Sequence, residues 1–222
     1  MLLSLPFVIL SFIYCLNYMI GCLLEIKVLD IFGFSITGGF FLVPIAYIIN
    51  DCIVEVYGYK KAKAVMWLTF VANTTIVIIF QIACWAPPAP YWNGNEHFTY
   101  VFGQSPRIAI AAILAFIFAT NTNAVIMSKM KVSCSKLGFK VRAMVSTIFG
   151  ETVDAVIFFP IVFYGILTNK EILVMIISTT IGKCIYEALI LPITTRVVSY
   201  VKRIDNTDVY DTDVSYKLLS FK

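Results

Sequence analysis

Apolar residues run along this chain in blocks long enough to cross a bilayer, and short polar stretches separate the blocks. A helix needs about 20 mainly apolar residues to span the hydrocarbon core, because it rises about 1.5 Å per residue. Six segments reach that length, at 3–24, 38–57, 64–86, 107–128, 143–167 and 172–200. The last is long enough to run past the bilayer surface. Between the first two spans, residues 25–37 (EIKVLDIFGFSIT) alternate and turn at Gly33, which predicts a short hairpin or an interfacial loop. Residues 86–107 carry Pro87, Pro88, Pro90, Tyr91, Trp92, Phe98 and Tyr100. Aromatics in such a loop read as interfacial anchors, with a gating role as the other reading. The expected fold class is all-α, an integral membrane bundle of six transmembrane helices over residues 1–204. The polar tail, residues 205–222, carries Asp205, Asp208, Asp211 and Asp213 and is expected to be solvated and mobile.

Composition supports the membrane class. The chain is 60% hydrophobic and 14% charged, with mean hydropathy +0.88. A soluble domain carries about 25% charged residues. The net charge of +4 is no nucleic-acid signal, because the basic residues cluster in loops. Lys60, Lys61 and Lys63 follow span two; Lys129, Lys131, Lys136, Lys140 and Arg142 follow span four; Arg196, Lys202 and Arg203 close span six. Threaded through six spans, these groups fall on one side, so both termini are expected in the cytoplasm and the protein in the plasma (inner) membrane. Residues Met1 to Pro6 lack the basic region and cleavage site of a signal peptide, so the first span is expected to be retained. The six cysteines form no C-x-x-C pair and read as small hydrophobes. His97 has no metal-ligand partner at recognisable spacing, so neither metal nor other cofactor is expected. No H-E-x-x-H, G-x-S-x-G, G-x-G-D or Walker motif occurs, which argues against an enzyme and against an ATPase.

Five acids break the apolar blocks: Asp51, Glu55, Glu151, Asp154 and Glu187. A charge at membrane depth costs about 2.5–3.5 kcal/mol even on lenient scales, so it persists only where it is paired, wetted or used. Counting along the helices puts Asp51 about 10 Å from the cytoplasmic end, Glu151 and Asp154 about 12–17 Å deep, and Asn121 and Asn123 about 8–10 Å deep. Lys183 falls near mid-depth and Glu187 about 6 Å further inward. Four spans thus bring polar groups to overlapping depth. Asp51 and Glu55 share a helix face at i,i+4, and Glu151 and Asp154 share one at i,i+3. Lys183 and Glu187, also i,i+4, can pair along span six. Two plainer readings stand beside a binding role. Asp51 and Glu55 would face cytoplasmic water if span two ended early, and Glu151 and Asp154 would be structural if paired with Arg142 or Lys183. An acid-rich interior suits a ligand with several N–H donors, a cation, or a coupling proton. Tyr47, Tyr57, Phe158, Phe159 and Tyr186 are the aromatics placed to stack on a flat base. The acid pairs lie on the middle helix of each three-helix half, as two inverted repeats would place them.

The stretches Gly39-Phe40-Phe41-Leu42-Val43-Pro44 and Asn50-Asp51-Cys52-Ile53-Val54-Glu55-Val56-Tyr57-Gly58 resemble the signature of the queuosine precursor transporters, earlier described as vitamin uptake transporters. The resemblance continues through Val101-Phe102-Gly103, Pro106-Arg107, Arg142, Ser146, Glu151, Asp154, Phe158, Lys183 to Pro192, and Asp208-Val209-Tyr210-Asp211. It implies an importer of 7-deazaguanines such as the cyano or aminomethyl precursor or queuine, working by alternating access. The substrate-binding candidates are Asp51, Glu55, Asn121, Arg142, Glu151, Asp154, Lys183 and Glu187. The expected partners are a purine-like small molecule and the lipid bilayer, with a homodimer open. The alternatives are a vitamin-capture subunit of an energy-coupling-factor importer, or a structural subunit in which the acids hold helices together.

Overall fold

The computed structural model describes residues 4–24, 27–31, 34–103, 106–134 and 136–218. Seven helices carry the fold: α1 (Leu5–Leu24), α2 (Leu42–Tyr57), α3 (Tyr59–Trp85), α4 (Asn95–Phe102), α5 (Pro106–Ser133), α6 (Phe139–Phe163) and α7 (Asn169–Asp205). Six stretches of helix are long and apolar enough to cross a membrane, as the hydropathy pattern predicts. Between α1 and α2, strands β1 (Val28–Ile31) and β2 (Phe34–Thr37) form an antiparallel hairpin, one of the two forms that the alternation predicts, with Ile31 opposite Phe34. Glu25 and the turn at Gly33 lie outside the described residues. In the loop after α3, α4 seats Phe98 and Phe102 against each other, and Phe102 against Phe80 of α3 at 4.5 Å.

The buried core follows α2, whose residues from Ala46 to Tyr57 are all buried. Helices α1, α3, α5 and α7 surround it. The outer faces of those helices stay apolar and open. On α7, Leu173, Ile177, Ile181, Ile185, Leu189 and Ile193 are each more than half exposed. A soluble protein rarely shows so continuous an apolar stripe, whereas lipid tails cover it at no cost.

Local signals set the helix ends. Thr168 opens α7 with a capping box: its backbone N–H donates to the Glu171 carboxylate at 2.8 Å, and its hydroxyl accepts from the Glu171 N–H at 3.3 Å. Asn206 closes α7 in the left-handed conformation, with Lys202 and Arg203 in the last turn. Gly58 separates α2 from α3 at φ +83°. A β-carbon there would lie 2.7 Å from the Asp211 carboxylate and 2.8 Å from Val209, so glycine is needed for the turn and for what packs on it.

What packs on it is the tail, which corrects the expectation of a solvated segment. The Val209 N–H donates to the Val56 carbonyl at 3.1 Å, adding the tail to the end of α2. Asp211 accepts from the Tyr59 N–H at 2.8 Å and from the Ser128 hydroxyl at 2.5 Å, so it caps α3 and ties it to α5. Lys63 donates to the Lys217 carbonyl at 3.2 Å, and Trp67 to the Leu218 carbonyl at 3.3 Å. The physical reason is that the ends of α2, α3 and α5 present unsatisfied backbone and charged groups that water alone would have to serve. Residues 219–222 lie outside the described chain. Asp211→Ala removes a helix cap and strands the buried Tyr59 N–H. It is expected to cost about 1–2 kcal/mol, read as a lower melting temperature and faster proteolysis of the tail.

Candidate functional site

All five acids predicted from the sequence lie in one continuous polar interior, divided into three groups. The first belongs to α6 and α7. Lys183 reaches across to Glu151 at 2.7 Å and Asp154 at 3.0 Å. Glu151 is fully buried, while the Asp154 side chain is 24% exposed and marks the mouth of this group. The expected pairing of Lys183 with Glu187 along α7 is therefore corrected. Two carboxylates from a neighbouring helix outcompete one on its own helix, and lysine preceding glutamate is the weaker order for an i,i+4 pair.

The second group sits where the basic loops meet. Glu55 accepts from Arg142 at 2.8 Å and Lys202 at 2.7 Å, with Lys131 at 4.0 Å. Asp208 of the tail bridges Lys131 at 2.5 Å and Lys202 at 2.8 Å. Lys131 also donates to the backbone carbonyls of Glu55 and Val209. Arg142 thus serves Glu55 and the Leu137 carbonyl, not Glu151 or Asp154 as one structural reading allowed. Asp51 and Glu55 are each 1% exposed, so the reading in which both face water is also corrected. Nothing in the sequence distinguished Lys131 and Lys202 from other charges near helix ends, and Asp208 stood out only within the tail stretch that the family resemblance covers; the folding back of the tail brings the three together.

Burial pushes the Asp208 carboxyl up, but hydrogen bonds from Lys131 and Lys202, with their charges, more than reverse this and hold it below the usual carboxylate range. A carboxyl depressed in the folded state contributes stability above its unfolded pKa and loses it as pH falls through the folded value. Acidification below the ordinary aspartate range is therefore expected to loosen the tail before the bundle unfolds. Limited proteolysis across an acid pH series checks this, with Asp208→Asn showing the loosened pattern already at neutral pH.

The third group is Asp51 on α2 and Glu187 on α7, which lie within electrostatic reach of each other, with Glu55 near Asp51 and Glu151 near Glu187. Each is 1% exposed. Neither oxygen of Asp51 has a hydrogen-bond partner among the described residues, nor does Oε1 of Glu187. Asn123 lies beside Asp51, but its carbonyl accepts from Asn50 at 2.9 Å and its amide donates to the Thr147 hydroxyl at 3.4 Å. Asn123, fully buried, is thus the asparagine of α5 in the interior. Asn121, the candidate chosen from sequence, instead accepts from the Tyr59 hydroxyl at 2.7 Å near the tail. Depth along the helix does not separate the two, but they lie 200° apart around its axis at about 100° per residue, so one faces α2 and α6 and the other α3.

Gly150 permits this close assembly. A β-carbon there would lie 2.9 Å from the Asn123 side chain and 3.5 Å from the Tyr47 ring. Tyr47 also lines a small cavity with Tyr14, Tyr18, Ala46, Phe116 and Thr120. Tyr47 and Tyr18 lie within electrostatic reach of Asp154. Of the aromatics expected to stack on a base, only Tyr47 lines this space. Tyr57 packs on Phe7 at 5.0 Å, Phe158 on Phe159 at 5.6 Å, and Tyr186 donates to the Phe41 carbonyl at 3.2 Å. Tyr14, Tyr18 and Phe116 carried no sequence signal beyond their apolar blocks. A larger cleft lies between α1, α3, α4 and α5, lined by Met19, Phe80 and Phe102 among others, with Asn73 and no acid. Among the described residues, no group of three or more His, Cys, Asp or Glu side chains is placed to hold a metal ion.

Comparison with known proteins adds three findings. The family described as "Putative vitamin uptake transporter" matches the chain over residues 37–197. The chain is 27% identical over 168 residues to a "Probable queuosine precursor transporter" of Bacillus subtilis (strain 168), covering 75% of this chain and 73% of that one. No solved structure matches.

Proposed function

Because the chain belongs to the vitamin uptake transporter family, as the match over residues 37–197 shows, we propose that it imports queuosine precursors. The substrates would be 7-deazaguanines such as the cyano or aminomethyl derivative, or queuine. Transport would proceed by alternating access in the plasma membrane, with the basic loops, the tail and both termini in the cytoplasm. The observation that carries the reading is a buried lysine with two carboxylates, at 2.7 and 3.0 Å, beside an aromatic-lined space. A guanine-like edge presents a ring N–H next to an exocyclic amino group, and one carboxylate can accept both. Asp154, at the mouth, would take that edge. Glu151 would be the deeper acceptor, and Lys183 would bind the base's carbonyl oxygen once its carboxylates turn to the ligand. Tyr47 and its neighbours would flank the ring, an arrangement that favours flat aromatic substrates.

Glu55 and Arg142 hold the basic end together, and their part in substrate binding would be indirect, through the closed state of that end. Asn121 would act with them, through Tyr59.

The test is the melting temperature of the detergent-purified protein against 7-deazaguanines, guanine and unrelated vitamins, followed by uptake in cells lacking any energy-coupling-factor ATPase. Stabilisation by 7-deazaguanines with uptake in those cells is expected. Stabilisation by a vitamin alone, or uptake only with the ATPase present, would replace this reading with that of a capture subunit.

A further inference from the structure

The cations of the described interior are engaged away from Asp51 and Glu187. Lys183 is held by Glu151 and Asp154, Arg142 and Lys202 by Glu55, and Lys131 by Asp208. The groups around the pair are otherwise neutral or acidic. Its own helix α2 presents Tyr47, Cys52 and Glu55, and α1 presents Tyr14 and Tyr18. From α3, Tyr59 and Lys63 face the tail. Helix α5 places Asn123 beside the pair and Lys131 on Asp208, and α6 supplies Thr147, Glu151, Asp154 and Arg142. On α7 itself lie Lys183, Cys184 and Lys202.

Two unit charges 4 Å apart repel by about 4 kcal/mol at an effective dielectric of about 20, and burial adds the loss of hydration. Two neighbouring acids with no cation of their own among the described residues, and with three of their four oxygens unpartnered, are therefore unstable together as two anions. One proton between them removes the repulsion and supplies the donor that the unpartnered oxygens need. We propose that Asp51 and Glu187 form a proton-binding pair that couples substrate import to a proton gradient. This rests on the transporter reading above, and it assigns these two acids to the proton while Lys183, Glu151 and Asp154 face the substrate.

The placement suits coupling. The acids stand on different helices, so a shift of α7 against α2 changes their separation and with it the pair's hold on the proton. Pro192 cannot donate a hydrogen bond to the Ala188 carbonyl, so the turn just beyond Glu187 is less tied than the rest of α7. A proton entering from outside with substrate would convert one carboxylate to a carboxyl. Its release toward Glu55 and the cytoplasm would restore the anion for the return step.

The test uses the full chain in liposomes with radiolabelled 7-cyano-7-deazaguanine, a neutral probe, and the membrane potential clamped at zero. With one proton per substrate, an inward gradient of one pH unit supports up to about tenfold accumulation. Wild type is expected to approach that value, to ignore a sodium gradient, and to exchange labelled for unlabelled probe with no gradient. Asp51→Asn and Glu187→Gln are each expected to keep exchange within about twofold, in the terms of a tenfold per 1.4 kcal/mol scale, while losing accumulation. Two results overturn the proposal: accumulation driven by sodium, or loss of probe exchange in both variants while gel filtration shows them folded. If wild type neither binds nor exchanges the probe, the transporter reading falls, and the infrared band of protonated carboxyl decides the pair. Loss of that band in both variants supports the proton site, and an unchanged band overturns it.

Discussion

Asp154→Asn is expected to abolish uptake while leaving the fold nearly as stable as wild type. The asparagine keeps one acceptor oxygen for Lys183, which remains within 2.7 Å of Glu151, so no buried charge is left alone. The side chain is 24% exposed, and the loss of stability should stay within about 1 kcal/mol. Function is more sensitive. An amide oxygen cannot accept a two-donor edge as a carboxylate does, and its N–H₂ group opposes the substrate's own donors. One charge-assisted hydrogen bond contributes about 1.5–3 kcal/mol, so uptake should fall by at least tenfold and, with the mismatched donors, by about a hundredfold. Uptake assays beside a melting curve check both halves. Normal uptake by a folded, inserted variant would remove Asp154 from the mechanism.

Glu55→Gln carries the largest expected effect on stability. Glu55 is 1% exposed and faces Arg142 and Lys202 at 2.8 and 2.7 Å, with Lys131 at 4.0 Å. Removing its charge leaves Arg142 without its carboxylate, and leaves Lys131 and Lys202 with Asp208, whose side chain is 42% exposed and whose attraction is correspondingly screened. Breaking a buried pair on one side costs about 3–5 kcal/mol. For a chain of this size that corresponds to a fall of about 10 °C in melting temperature. The double variant Glu55→Gln, Arg142→Gln should recover part of the loss, because it removes one of the stranded cations. A single variant as stable as wild type would show that the basic end is not held by this network.

The two largest effects thus fall on different groups of the same interior. The Asp154 side chain is 24% exposed, and in the proposed reading it meets the substrate, so its loss should silence transport. Glu55 stands where four helices and the tail are tied, and its loss should loosen the protein. A chain in which the acids served only as helix glue would show the second effect at both positions.

Much of this organisation was legible in the order of residues. Span length follows from 1.5 Å of rise per residue, so the blocks ending at Leu24 and Tyr57 marked their helices to within a few positions. The acids stood out because charge is costly in an apolar block. That several helices bring their polar groups to a common level followed from counting turns, and alternation in the loop after α1 narrowed that loop to a hairpin or an interfacial segment. Each of these is a local property, in which spacing along one helix or strand decides the result. The tertiary structure alone decided which charge answers which. Lys183 turned from Glu187 to Glu151 and Asp154, Asn123 took the interior position in place of Asn121, and Asp208 and Asp211 brought the tail onto the ends of α2, α3 and α5. Those choices depend on helix rotation and on distances between helices, and the Coulomb and hydrogen-bond energies that settle them change steeply over one or two ångströms. A linear pattern specifies depth within each helix, but pairing is set only when the helices pack.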